Sequence, residues 1–205
     1  MIGESLFMND QKFIKEMLAL LWIKKYGVLG RYRLRKLLNL TEGVTRGLLK
    51  KLSNENLVKA EGRKGFSLTQ KGQQNLKKKL RELHIEEIKE IDVGALKTSG
   101  ESVVIHLRNL EHNVYSGLEQ RDAAVKAGAD GATTLIFKNG VLSIPFSSEK
   151  IKLQNELIQM FKKEFKLRNG DVLIIGFSKD KSKALEGALA ASLYTLKNAQ
   201  PKIDF

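Results

Sequence analysis

Three histidines, no cysteine and a dense set of arginines and lysines bound the chemistry open to this 205-residue chain. Without a thiol, disulfides, cysteine-ligated zinc and thiol nucleophiles are excluded. His84, His106 and His112 fall at no spacing that a metal site uses, so no metal is expected. Gly128 and Gly131, or Gly170 and Gly176, make neither a dinucleotide fingerprint nor a phosphate loop, and no cofactor is expected. Arg121 and Asp122 are a conspicuous acid–base pair, but adjacent helical positions diverge by about 100° and the two cannot act together. With them, His106, Arg108, Thr133 and Thr134 are the candidates for holding a small anionic effector; sheet packing and surface ion pairing explain the same residues. No catalytic constellation emerges, and the chain is expected not to be an enzyme.

Charge is the stronger signal. The formal net charge is +13, and residues 1–82 hold 19 Lys and Arg against 7 Asp and Glu, a net of +12. Residues 83–205 carry a net of only +1. Such asymmetry points to two domains with different partners, the first of them a polyanion.

The elements that would position these charges follow from apolar spacing. Residues 9–26 repeat apolar side chains at helical intervals, with Asn9 or Asp10 as N-cap. A short helix follows Gly30, and a third helix opens at Thr41. Its apolar positions Val44, Leu48, Leu49 and Leu52 would leave Glu42, Thr45, Arg46 and Lys50 outward. Leu57–Ala60 and Phe66–Leu68 are strands joined by a glycine-flanked turn that carries Arg63 and Lys64. Thr69 then caps a helix with Leu76, Leu80 and Leu83 along one side. Helix, short helix, helix, basic hairpin, helix is the order of a winged helix-turn-helix.

That order, with the strings LLKKLSNENLV and SLTQKG, resembles the winged-helix regulator superfamily of bacteria and archaea over residues 10–83. The resemblance implies that the helix opened by Thr41 reads the major groove of double-stranded DNA. Thr45 and Arg46 would then meet bases, and Lys50 phosphate. Arg63 and Lys64 would touch backbone or minor groove, and Arg31 and Arg33 the backbone.

The second half alternates strands and helices: 102–108 strand, 116–127 helix, 132–138 and 141–145 strands around Asn139-Gly140, 148–166 helix, 171–177 strand, 181–197 helix. The order βαββαβ plus a helix predicts a ferredoxin-like α/β sandwich, so the whole chain is α+β. Val104 and His106 would share a second, largely apolar sheet face with Ile136, Ile144 and Leu173 or Ile175, for which a second subunit is the expected cover. Small residues in the last helix, among them Ala184, Gly187 and Ala188, suit close approach to a partner or to the chain's own sheet. Residues 121–145 and 170–178 resemble an archaeal domain found behind winged helices, which brings no catalytic residue with it.

The expected organisation is therefore a DNA-binding domain at 8–83, a linker or edge element at 84–98 and a dimerising, effector-sensing domain at 99–205. The opening residues do not form a signal peptide and no apolar run is long enough to cross a bilayer, so a cytoplasmic homodimer without membrane contact is expected. The function expected is transcription regulation through sequence-specific binding of DNA. An enzyme with an autoregulatory winged helix, or a winged-helix protein-interaction module, remain the alternatives at this point.

Overall fold

The structure is a computed structural model that describes residues 2–94, 100–145 and 155–197, with side chains from Asp10 onward. The expected turn at Thr98 and Ser99, and Ile151 and Leu153 of the expected helix 148–166, lie outside the described residues. The chain is a mixture of helices and two antiparallel sheets, and it divides into two compact units, Met1–Leu80 and Arg81–Phe205. Among the described residues no helix is long and apolar enough to cross a membrane.

In the first unit, α1 (Ile2–Tyr26) begins well before the expected cap at Asn9 or Asp10. No proline stands between Ile2 and Asn9 to halt it. The strand β1 (Val28–Leu29), too short to show a period, leads into α2 (Arg31–Leu38), which Asn39 closes in a left-handed conformation at φ 49°. Next comes α3 (Glu42–Asn54), with Thr41 Oγ1 accepting from the Val44 amide at 3.4 Å as the N-cap. The hairpin β2 (Val58–Ala60) and β3 (Phe66–Leu68) turns through a single 3-10 turn at Gly62–Lys64. With β1 it forms a three-stranded sheet in the order β1-β3-β2. Finally α4 (Gln70–Glu82) is capped by Thr69 Oγ1, which accepts from the Gly72 amide at 2.9 Å. Gly72 is required by contact: a Cβ there would stand 1.9 Å from the Leu57 carbonyl oxygen. The core is built from Met17, Leu18, Ile23, Leu34, Leu38, Leu49, Leu52, Leu57 and Leu76, all buried.

The second unit is a five-stranded antiparallel sheet. Its strands are β4 (Ile85–Glu90), β5 (Glu101–Leu107), β6 (Gly131–Lys138), β7 (Val141–Ser143) and β8 (Asp171–Ser178). Three helices accompany them: α5 (Leu118–Lys126), α6 (Asn155–Glu164) and α7 (Lys181–Lys197). Asn139 and Gly140 join β6 to β7 with φ of 50° and 78°, as the tight hairpin turn needs.

Element order matches the βαββαβ expectation, but strand order departs from a ferredoxin-like sheet. There the third strand of the motif would lie beside the first; here the order is β4-β5-β8-β6-β7, with β8 between β5 and β6. Burial explains the difference. Seven of the eight β8 residues are buried, which suits a central position, whereas three-residue β7 exposes both ends and suits an edge.

One sheet face is covered by α5 and α7. Gly176 on β8 admits α7 closely, since a Cβ there would stand 2.3 Å from the Ala184 carbonyl oxygen. The small residues of α7 are thus used within the chain, Ala184 and Ala188 against the sheet and Gly187 against Ala124 of α5 and Ala129. The second face, expected to need another subunit, is covered by α6 instead. Leu157, Phe161 and the following Phe165 pack on Val104, Leu135, Phe137, Leu173 and Ile175. Leu135 and Phe137, not the expected Ile136, supply the β6 contribution, because pairing with Leu173 puts Leu135 on that face.

Candidate nucleic-acid interface

Helix α3 buries Thr45, Leu49 and Leu52, a spacing that fixes its inner side. The expected outward Thr45 and inward Val44 are therefore exchanged. Thr45 is fully buried and its hydroxyl donates to the Thr41 carbonyl at 2.9 Å, while Val44 is 54% exposed. Thr45 cannot reach a base, whereas Thr41 is exposed and accepts the capping bond with its hydroxyl proton still available to donate. The outer surface of α3 carries Glu42, Gly43, Val44, Arg46, Gly47 and Lys50.

Arg46 stays outward, its Nη2 2.9 Å from Glu42 Oε1 one turn earlier. The same carboxylate oxygen takes Arg31 Nη2 at 3.5 Å from the start of α2. Glu42 thereby ties the first turns of α2 and α3 together and holds two guanidinium groups at one place. Exposed pairs of this kind are worth only a few tenths of a kcal/mol to about 1 kcal/mol, so both arginines are oriented and not locked.

The hairpin tip adjoins the same place. A Cβ on Gly30, the residue before Arg31, would lie 3.7 Å from the Lys64 carbonyl oxygen. Arg63 and Lys64 themselves are exposed. The hairpin is braced behind them: Ser67 Oγ donates to Glu61 Oε1 at 2.6 Å, and Lys59 Nζ pairs with the same oxygen at 3.0 Å. The Ser67 hydrogen bond, then Lys59, hold the Glu61 carboxyl below the usual carboxylate range.

Along α2 the cations are interleaved with aromatic rings. Arg33 lies over Tyr26 at 3.9 Å from the ring centre, so this expected backbone contact stacks on its own chain. Tyr32 is exposed between Arg35 and Lys36, and the Lys36 hydrogen bond and charge lower its phenol pKa.

The residues considered for an effector are not assembled. His106 and Asp171 are both fully buried, and His106 Nε2 donates to Asp171 Oδ2 at 2.8 Å. Arg108 Nη1 donates to the same oxygen at 2.6 Å, and the backbone amides of Arg168 and Asn109 donate to the carboxylate at 2.8 and 3.2 Å. Phe165 meets the His106 ring edge-on, 5.7 Å between centres. His106 and Arg108 thus serve a carboxylate of their own chain. Thr133 and Thr134 are consecutive on β6 and point to opposite faces; Thr134 is buried. Arg121 and Asp122 are exposed on α5. Asp171, the centre of this network, was not singled out by sequence, and neither were Glu42 or Val44.

Two family models match the chain. Residues 13–74 match the N-terminal domain of PH0730-like proteins, and residues 98–196 match a domain of unknown function, DUF4443. Among solved structures, the hypothetical protein PH0730 from Pyrococcus horikoshii OT3, an archaeal protein, is similar at 27% identity and a TM-score of 0.69. The similarity covers 90% of this chain and 92% of that one. No curated protein matches the chain.

Proposed function

We propose that this chain is a sequence-specific DNA-binding transcription regulator, with Met1–Leu80 acting as a winged helix-turn-helix and α3 as its reading helix. The observation that supports this reading most is the convergence of exposed cations where three elements meet. Arg31 begins α2, Arg46 projects from α3 to share Glu42 with it, and the Lys64 backbone lies against Gly30. A groove of about 12 Å admits one helix, and cations on flanking elements would neutralise the phosphates on either side. In this reading Arg46 contacts a base, and Lys50, Arg31, Arg63 and Lys64 contact phosphate. The excess charge of residues 1–82 is its electrostatic footprint.

The second unit serves association in this proposal. Of the six effector candidates, His106 and Arg108 are taken up by Asp171, Thr133 and Thr134 point to opposite faces, and Arg121 and Asp122 are exposed on α5, so they lend an effector no support. The outer side of α5 offers a self-complementary surface: Leu118 and Val125, 60% and 47% exposed, flank Arg121 and Asp122. Two copies of this helix in antiparallel contact would bury the apolar pair and set each Arg121 near the other's Asp122.

Fluorescence anisotropy of the full chain on duplex DNA from its own upstream region, against a scrambled duplex across a salt series, tests the reading. Preference for the genuine duplex that Arg46→Ala reduces by about tenfold or more is the expected result. Equal, weak binding to both duplexes would end the claim of sequence-specific regulation.

A further inference from the structure

Resting on the DNA-binding reading, we infer that Val44 is a specificity-determining residue that recognises the 5-methyl group of thymine in the major groove.

Val44 is more than half exposed on a helix whose other outward side chains are charged or, at Asn54, polar. Among the described residues the buried side of α3 is supplied by Thr45, Leu49 and Leu52, and Val44 lies outside it. Taking about 100° per residue, Val44 and Arg46 lie on opposite flanks of the outer surface, with Gly43 and Gly47 on the ridge between them. A Cβ at either glycine would meet nothing within 4 Å. No close approach among the described residues therefore requires these glycines, while Gly47, in the helix interior, lowers helix propensity relative to alanine. Before Lys50 and Asn54 this ridge carries no side chain, which brings the first two turns of the helix nearer the groove floor, where short Val44 and long Arg46 both reach base edges. Charge complementarity commits the occupant to duplex DNA: Arg46, Lys50, Arg31, Arg63 and Lys64 surround this surface. The thymine methyl is the one apolar group that the major groove presents, and an aliphatic side chain is its natural contact. Paired with Arg46 on guanine, Val44 predicts a recognition element that contains both guanine and thymine.

The test begins with duplexes selected by the full chain from a random DNA pool. Each thymine of the selected site is then replaced singly by deoxyuridine, which removes only the methyl group. At one or two positions uracil should weaken binding about fourfold, the worth of one buried methyl. Val44→Ala should weaken binding to the thymine duplex and lose the thymine–uracil difference at those positions, while an unchanged melting temperature shows that it folds. Gly47→Ala should raise the melting temperature and weaken the selected duplex more than a scrambled one. Indifference of the wild type to uracil at every position would overturn the inference while leaving DNA binding intact. So would a Val44→Ala variant that still discriminates. A pool that enriches no sequence would instead overturn the DNA-binding reading, and this inference with it.

Discussion

At the scale of single residues, Asp171 is the most demanding position in the second unit. Its carboxylate is fully enclosed and depends on His106, Arg108 and two backbone amides to replace water. Removing it strands a buried imidazole and a largely buried guanidinium, so Asp171→Ala should cost about 3–5 kcal/mol. Urea denaturation of the full chain followed by fluorescence or circular dichroism measures this; a loss under 1 kcal/mol would show that water satisfies the site. The network also marks the limit of what the sequence made legible. Alternation along residues 102–108 puts His106 and Arg108 on one side, and both reach Asp171 although β5 ends at Leu107. Their carboxylate lies 65 positions beyond His106, and no local pattern joins such residues. On α3 the failure was different. Threonine looks polar in a binary pattern, yet its hydroxyl can bond to the carbonyl four residues back and its methyl can then be buried, which is what Thr45 does. Misplacing that single residue turned Val44 inward and hid the exposed valine.

Elements were more legible than residues because their signals are local. Thr41 and Thr69 mark helix starts through their own hydroxyls, and Asn139-Gly140 fixes a hairpin through positive φ. The arrangement of β8 between β5 and β6 is set by pairing among strands far apart in the chain, and so was missed. The consequence for assembly is concrete. An apolar second face invites a partner, but α6 covers it, and α5 carries an exposed apolar pair, Leu118 and Val125. Two substitutions separate these roles. Phe161→Ala, on the buried side of α6, should cost about 3–5 kcal/mol of stability and leave association unchanged. The pair Leu118→Glu and Val125→Glu should leave the melting temperature within a few degrees but convert a dimer to a monomer in sedimentation equilibrium. A wild-type chain that is monomeric at tens of micromolar would remove α5 as an association surface.

At the scale of the whole molecule, charge divides unevenly between the two units, and the proposal assigns association to the second. The first carries nearly all the excess charge, and the second, almost neutral, can bring two copies together without the repulsion that two highly basic surfaces would impose. Joining two basic units through the second one doubles the phosphates met in a single binding event, which has a measurable signature. If Arg31, Lys50, Arg63 and Lys64 each neutralise one phosphate, a protomer should show a slope of log K against log salt near −3.6, and a dimer about −7. Half-sites should then recur at about 10 base pairs or a multiple of it. The Leu118→Glu, Val125→Glu variant should keep the recognition element but halve both the slope and the hydroxyl-radical footprint. A variant with the full slope and footprint would mean that association does not run through α5. A wild-type slope already near −3.6, with a single protected element, would mean that the chain binds as one copy, and the near-neutral unit would then need another role.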